Sequence, residues 1–465
     1  STIGQAIKDD LRISDTQLGL LGGLYFALLY TLLGIPIARL AERLSRVNII
    51  SISILIWSAF TALCGVAVNF TQLAAFRFGV GVGEAGLSPP AHSLISDYYE
   101  PKRRASALAI YAFGIPLGSM FGAIAGGYLA QEFSWRIAFL IVGVPGIVVA
   151  LLIKLVVKEP PRGHSDMPEH PLSPEDLAPE APPTPPISLK SEALELASVA
   201  RTLFTVWPVL NMVLGVTIAS FGSYGSGQFV APYFVRAFGL NIGQVGLITG
   251  VVGGISSGIG TIAGGFITDR MSRVSPRWYS LTPAIGLTLA TPIYIFAYLQ
   301  PSWQSAALIL LLPGIFHYTY LGPTFGVVQN MVELRRRATA TALLFFFLNL
   351  IALGGGPPFT GWLIDNFSQF FFTHPQAHGV LDALSGLVGG QSGGHDFGAA
   401  CPGGRPAAGS AVTAAQCHDA LVPATQAGII LSICFYVWAG FHYLLGSFGL
   451  TKAMARARAE RGEAD

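Results

Sequence analysis

Apolar runs of twenty or more residues, separated by short polar turns, recur along nearly the whole chain. Each is long enough to cross the hydrocarbon of a bilayer as a helix, which takes about 20 residues. The pattern predicts eleven spanning helices, over about 18–38, 48–68, 73–96, 106–129, 136–157, 203–232, 243–266, 278–299, 303–328, 338–364 and 425–448. Their short connections suit antiparallel neighbours in a bundle. Two segments interrupt the pattern. Residues 159–200 begin EPPRGHSDMPEHPLSPEDLAPEAPPTPPISLK, too rich in Pro and acid to bury a core, and predict a flexible strap joining two halves, 1–158 and 201–465. Residues 366–424, rich in Gly and Ala, predict a long loop on the opposite membrane face.

Composition removes most other classes. Charged residues make up 11% of the chain and hydrophobic residues 52%, against about 25% charge in a soluble domain. A net charge of +2, without a basic patch, gives no footprint for nucleic acid. No nucleotide-binding loop and no nucleophile–base cluster is present, so the sequence reads as a non-enzyme with no cofactor. Cys64 and Cys434 fall in spans and read as buried thiols. Cys401 and Cys417 share the 366–424 loop, where an oxidising compartment would permit a disulfide. His374, His378 and His395 lie there too, without the tight spacing of metal ligands.

Prolines inside the predicted spans, among them Pro116, Pro145, Pro292, Pro313, Pro357 and Pro358, do not argue against helices, because hydrocarbon penalises any unpaired backbone. Gly114, Gly118, Gly122 and Gly126 leave one bare helix face, for close packing or for sliding between bundles.

Cations orient the chain. The loops 39–47, 97–105, 158–202, 269–277 and 331–337 with their flanks, and the tail from 449, carry 21 Lys and Arg; the opposite face carries 5. The positive-inside bias puts the first set, and the C-terminus, in the cytoplasm. The expected location is a bacterial inner membrane.

Two internal alignments share an offset of 227: QLGLLGG at 17–23 on QVGLITG at 244–250, and ARLAERLSR at 38–46 on GFITDRMSR at 265–273. The halves are therefore homologous and parallel in the membrane. Their equivalence predicts twelve helices in the whole protein, with one lying ahead of residue 1. The turn residues Glu42, Arg43, Arg46, Asp269, Arg270 and Arg273 read as a conformational latch, the acids pairing across the bundle boundary and the arginines anchoring to headgroups.

Arg77 and Glu84 lie inside the span 73–96, seven residues and about 10 Å apart on one helix face. Charge in the membrane is costly and faces a polar cavity or a partner. Arg77 suits docking of an anion and Glu84 a protonatable coupling site; a packing pair with a neighbouring helix is the alternative. Gly79, Gly81 and Gly83 leave room for a ligand or for a close helix, and Gly86, Pro89 and Pro90 predict a local break. The second half offers Tyr224, Gln228, Phe316 and His317, either as neutral lining or as residues that fill the bundle, His317 then being a hydrogen-bonded core residue. That asymmetry suits a substrate with a charged head and an apolar tail.

Through ARLAERLSR, GFITDRMSR, RFGVGVGEAG at 77–86 and WRIAF at 135–139, the chain resembles the major facilitator superfamily and, within it, the Spinster-like group of sphingosine-1-phosphate and lysophospholipid transporters. The resemblance implies an all-α fold of two parallel-repeat six-helix bundles (eleven of twelve helices here), with the matching arginine and glutamate in substrate recognition and proton coupling. It implies partners that are an amphiphilic anionic lipid or a small organic anion, protons and the bilayer, handled by a monomer. A non-transporting membrane lipid receptor is the competing class.

Overall fold

The computed structural model describes residues 2–99, 101–161, 189–332, 337–377, 379–389 and 396–460; the side chains of some helical residues, Glu42 and Arg43 among them, lie outside that description. In the first half α1 (Gly4–Leu11), α2 (Asp15–Gly22), α3 (Leu24–Arg43), α4 (Arg46–Cys64), α5 (Phe70–Glu84), α6 (Ser88–Tyr98), α7 (Pro101–Glu132) and α8 (Trp135–Val156) follow in order. After α9 (Leu189–Thr205) come α10 (Trp207–Phe238), α11 (Ile242–Ser272), α12 (Trp278–Tyr298), α13 (Trp303–His317), α14 (Leu321–Asn330), α15 (Arg337–Phe347) and α16 (Gly354–Thr373). The chain continues through α17 (Val380–Gly389), α18 (Phe397–Ala400), α19 (Ala414–Ser447) and α20 (Leu450–Glu460). Among the described residues there is no strand. Nine described helical stretches are long and apolar enough to cross a membrane. The two other predicted spans are the interrupted pair α5–α6 and the long α7, so all eleven predicted segments are helical.

The repeat has a local cause. Ser14 caps α2 and Asn241 caps α11, each in a reciprocal box closed by the repeated Gln17 and Gln244. The glycines two residues further on then allow the bundles to touch. A Cβ on Gly19 would lie 2.3 Å from the Pro357 carbonyl oxygen of α16, and one on Gly246 would lie 2.5 Å from the Ala123 carbonyl oxygen of α7. Within the first bundle α4 packs between α5 and α8; within the second α19 is central, against α10, α12 and α16. The bundles meet along two repeat-related seams, α2 on α16 and α7 on α11. The described cross-bundle hydrogen bonds all lie at the end that carries α1.

Several expectations need correction. The strap is not flexible throughout 159–200: its first residues are pinned to the first bundle by Glu159, and from Leu189 it is helical, because Val199 and Leu203 are apolar at helical spacing and bury themselves and Phe204 packs edge-on to Phe347. Residues 162–188 lie outside the description. The predicted loop 366–424 is shorter, since α16 continues to Thr373 and α19 begins at Ala414 behind a Thr413–Gln416 capping box. The same region holds the Cys401–Cys417 disulfide. Cys64 is buried, whereas Cys434 is exposed on α19. The glycine stripe of α7 meets nothing at Gly114, Gly118, Gly122 or Gly126; the seam with α11 runs one residue round the helix, through Ala123 and Gly127.

Candidate functional site

Asn69 caps α5, its side chain accepting from the Gln72 N–H at 2.9 Å. The helix then ends at Glu84 and resumes at Ser88. Pro89 and Pro90 cause the break, because they lack the N–H groups that would bond the carbonyls of Ala85 and Gly86. The space at Gly81 and Gly83 is filled by helices: a Cβ on Gly81 would lie 2.5 Å from the Phe26 carbonyl oxygen of α3, and one on Gly83 2.4 Å from the Trp57 nitrogen of α4. These glycines bring α5 against its neighbours and leave the polar chemistry to Arg77 and Glu84.

The Arg77 Nε donates to the Leu21 carbonyl at 3.0 Å, and its guanidinium carbon stands 5.3 Å from the Phe26 ring centre. That carbonyl is free because α2 stops at Gly22; the end of a helix carries partial negative charge and suits a cation. Among the described residues no carboxylate makes an ion pair with Arg77. Glu84, half-buried at the break, has no hydrogen-bond or ion-pair partner among them.

The second bundle is interrupted at the repeat-related place. α13 ends at His317, a 3₁₀ turn covers Tyr318–Tyr320, and α14 starts at Leu321. The buried His317 ring lies 4.5 Å from Tyr436 and 4.6 Å from Tyr318, centre to centre. Its Nδ1 is 3.5 Å from the Tyr294 hydroxyl, and its Nε2 has no partner among the described residues. Ser223, Ser226, Tyr294, His317, Tyr318 and Tyr436 help line a cavity of about 270 Å³. Tyr224 is exposed; Gln228 reaches α2 at Gly22; Phe316 is half-buried and its carbonyl accepts from Thr319. The predicted residues thus divide between a cationic and acidic break in one bundle, a hydroxyl and imidazole break in the other, and the seam between them.

The latch residues separate. Arg46 is buried within the first bundle, donating to Glu159 at 2.7 Å and to Asp97. Asp269, Arg270 and Arg273 are exposed and make no ion pair among the described residues, and the side chains of Glu42 and Arg43 lie outside the description. His374 stacks on Phe370, while His378 and His395 are outside the described residues.

A cluster that sequence reasoning missed sits at the opposite end. Asp15 takes Lys8 at 2.5 Å and Arg236 at 2.6 Å. Asp365 accepts from the backbone N–H groups of Asp15 at 2.9 Å and Thr16 at 2.8 Å. The available signal was Arg236 and Asp365 falling just beyond two predicted spans.

The Major Facilitator Superfamily profile matches residues 1–356. A solved bacterial homologue of the human lysosomal transporter Spinster, in an inward-facing and unoccupied conformation, is 31% identical, covers 98% of this chain and 93% of its own, and superposes with a TM-score of 0.77. An MFS-type efflux pump of Mycolicibacterium smegmatis is 30% identical over 79% of this chain and 80% of its own length. A hexuronate transporter of Bacillus subtilis is 26% identical over 78% and 83%.

Proposed function

The chain belongs to the major facilitator superfamily as a Spinster-like, multi-pass membrane transporter rather than an enzyme, and from that premise we propose proton-coupled secondary transport of an anionic amphiphile of the lysophospholipid or sphingoid-phosphate type. The observation that carries this reading is the break between α5 and α6: α5 ends on Glu84, which makes no hydrogen bond or ion pair among the described residues, two turns beyond Arg77, whose described contacts are a carbonyl and an aromatic face. A carbonyl and a ring orient a guanidinium without neutralising it, so its charge is left for an anionic head group. A carboxyl at a helix break takes and releases a proton as the environment changes from wet to dry. Interrupted helices at corresponding places in two halves favour a central site worked by rocking bundles. The apolar and hydroxyl lining around His317 suits the remainder of an amphiphile.

In this reading residues 1–158 and 201–465 move as the two bodies, the cation-rich end faces the cytoplasm of a bacterial cell together with the C-terminus, and one chain is the working unit. The turn residues Glu42, Arg43, Arg46, Asp269, Arg270 and Arg273 are proposed to latch that end when it closes. A second reading, symport of a small organic anion, is favoured by the likeness to the hexuronate transporter. Full-length protein in liposomes, assayed for labelled lysophospholipid, sphingosine phosphate and gluconate, separates the two. The amphiphile reading requires uptake or release of one of the lipids and its loss in Arg77→Ala; movement of gluconate alone supports the second reading, and failure of all three points to a lipid receptor.

A further inference from the structure

Lys8 and Asp15 belong to the first bundle and Arg236 and Asp365 to the second, so the cluster at the α1 end is built from both. Its chemistry is reciprocal. The first bundle supplies the carboxylate of Asp15, which Arg236 grips from α10 while also donating to Thr425 at 2.8 Å and to Gln5 at 2.8 Å. The second bundle supplies the carboxylate of Asp365, which caps the start of α2 through both of its oxygens and takes the Thr16 hydroxyl as well, at 2.5 Å. The side chains of Lys8, Asp15 and Arg236 are 2%, 0% and 3% exposed, so water does not share these bonds.

We propose that Asp15, Arg236 and Asp365, with Lys8, are the gate that closes this end of the transporter and that must part in each cycle; the proposal rests on the alternating-access reading. Formal charge in the cluster balances, two cations against two anions. A balanced buried cluster gains little over its hydrated parts, because the attraction mainly repays the cost of removing the charges from water. Opening the end readmits water to the three buried groups, Asp365 being half-buried already, so the closed and open forms differ by little. Removing one partner while the end stays closed is different, since it leaves a buried charge unpaired. The contact is thus specific in register and cheap to part, which a purely apolar seam of the same area is not. The disulfide-closed loop of the second bundle rests on α1 beside the cluster: Arg405 bonds Asp9 at 2.7 Å, and a Cβ on Gly403 would lie 2.9 Å from the Arg12 Cα. Lys8 is held in place from both sides.

The test reads bundle separation, which needs neither substrate nor transport and so stands apart from the functional assay. Spin labels at Phe133→Cys and Leu299→Cys, both exposed and each on the α1 end of a different bundle, report the gap in full-length protein in nanodiscs, with Cys64 and Cys434 replaced by Ala. Asp365→Asn is expected to raise the wide-gap population about tenfold or more, as follows from losing one charge-assisted hydrogen bond. Thr16→Val, which removes a single hydroxyl contact and keeps the fold, is expected to shift it in the same direction by less. Thr324→Val, which removes a buried hydrogen bond to Tyr443 inside the second bundle, should leave it unchanged. A wild-type distance distribution in both Asp365→Asn and Thr16→Val overturns the proposal, as does an equal widening in Thr324→Val.

Discussion

Adding one methyl group at two glycines should have two different consequences. On Gly19 the new Cβ would lie 2.3 Å from the Pro357 carbonyl oxygen and 2.8 Å from the Pro358 Cα, where ordinary contact begins at 3.4 Å. Both neighbours are backbone, so a side-chain rotation cannot relieve the clash. On Gly81 the new Cβ would lie 2.5 Å from the Phe26 carbonyl oxygen, also backbone. Overpacking of this kind costs about 1–3 kcal/mol. The difference lies in what can yield. Gly19 faces the other bundle, and α2 can move away from α16 if the bundles part. Gly81 faces α3 in its own bundle, which has no such freedom. Gly19→Ala should therefore shift the closed-to-open ratio of the α1 end by about 5–150-fold and leave thermal unfolding near wild type, whereas Gly81→Ala should lower the unfolding midpoint and leave the ratio unchanged. Distances between labels at positions 133 and 299, with unfolding followed by tryptophan fluorescence, measure both. A distance distribution in Gly19→Ala that matches wild type, together with a lowered midpoint, would refute the division of labour between seam and bundle.

Two further outcomes follow from the ends of the molecule. Glu159 pins the start of the strap, accepting from the Val47 N–H at 2.9 Å and from Arg46 at 2.7 Å; burial works against its charge, but these donors hold its carboxyl below the ordinary value of 4.5. The pinning should be complete above that ordinary value and be lost as pH falls through the lower folded value, so hydrogen exchange at Val47 should rise only in strong acid, and in Glu159→Gln at neutral pH. Replacing Cys401 and Cys417 by Ser removes a disulfide that closes a loop of about 15 residues, worth about 3 kcal/mol by chain entropy; proteolysis between α18 and α19 should quicken, with the helices of the bundle protected as before.

The periodic features of this fold are legible in the chain because hydrocarbon leaves little choice. Eleven apolar runs had to be helices, because hydrocarbon leaves an unpaired backbone no alternative. The constant offset between Gln17 and Gln244 pointed to two equivalent bundles, and the structure shows why those positions repeat: each closes a capping box immediately ahead of a glycine that touches the other bundle. The break after Glu84 was readable from Pro89 and Pro90. What could not be read was whatever depends on distant partners. Thr16 and Asp365 are 349 residues apart, and nothing near either announces the other. Whether Gly81 makes room for a ligand or for Phe26 is likewise settled only when α3 is in place. The region after Thr373 misled because Gly and Ala are abundant there, although Thr413 and Gln416 carry a helix start that composition obscured.

The central claim is that Glu84 couples substrate movement to protons, and the most direct test compares wild type with Glu84→Gln in proteoliposomes of the full-length protein, with and without an imposed pH gradient. The account predicts that the gradient accelerates lipid movement in wild type and has no effect in Glu84→Gln, while exchange of substrate without a gradient persists in the variant. Acceleration by the gradient that is as large in Glu84→Gln as in wild type would contradict it.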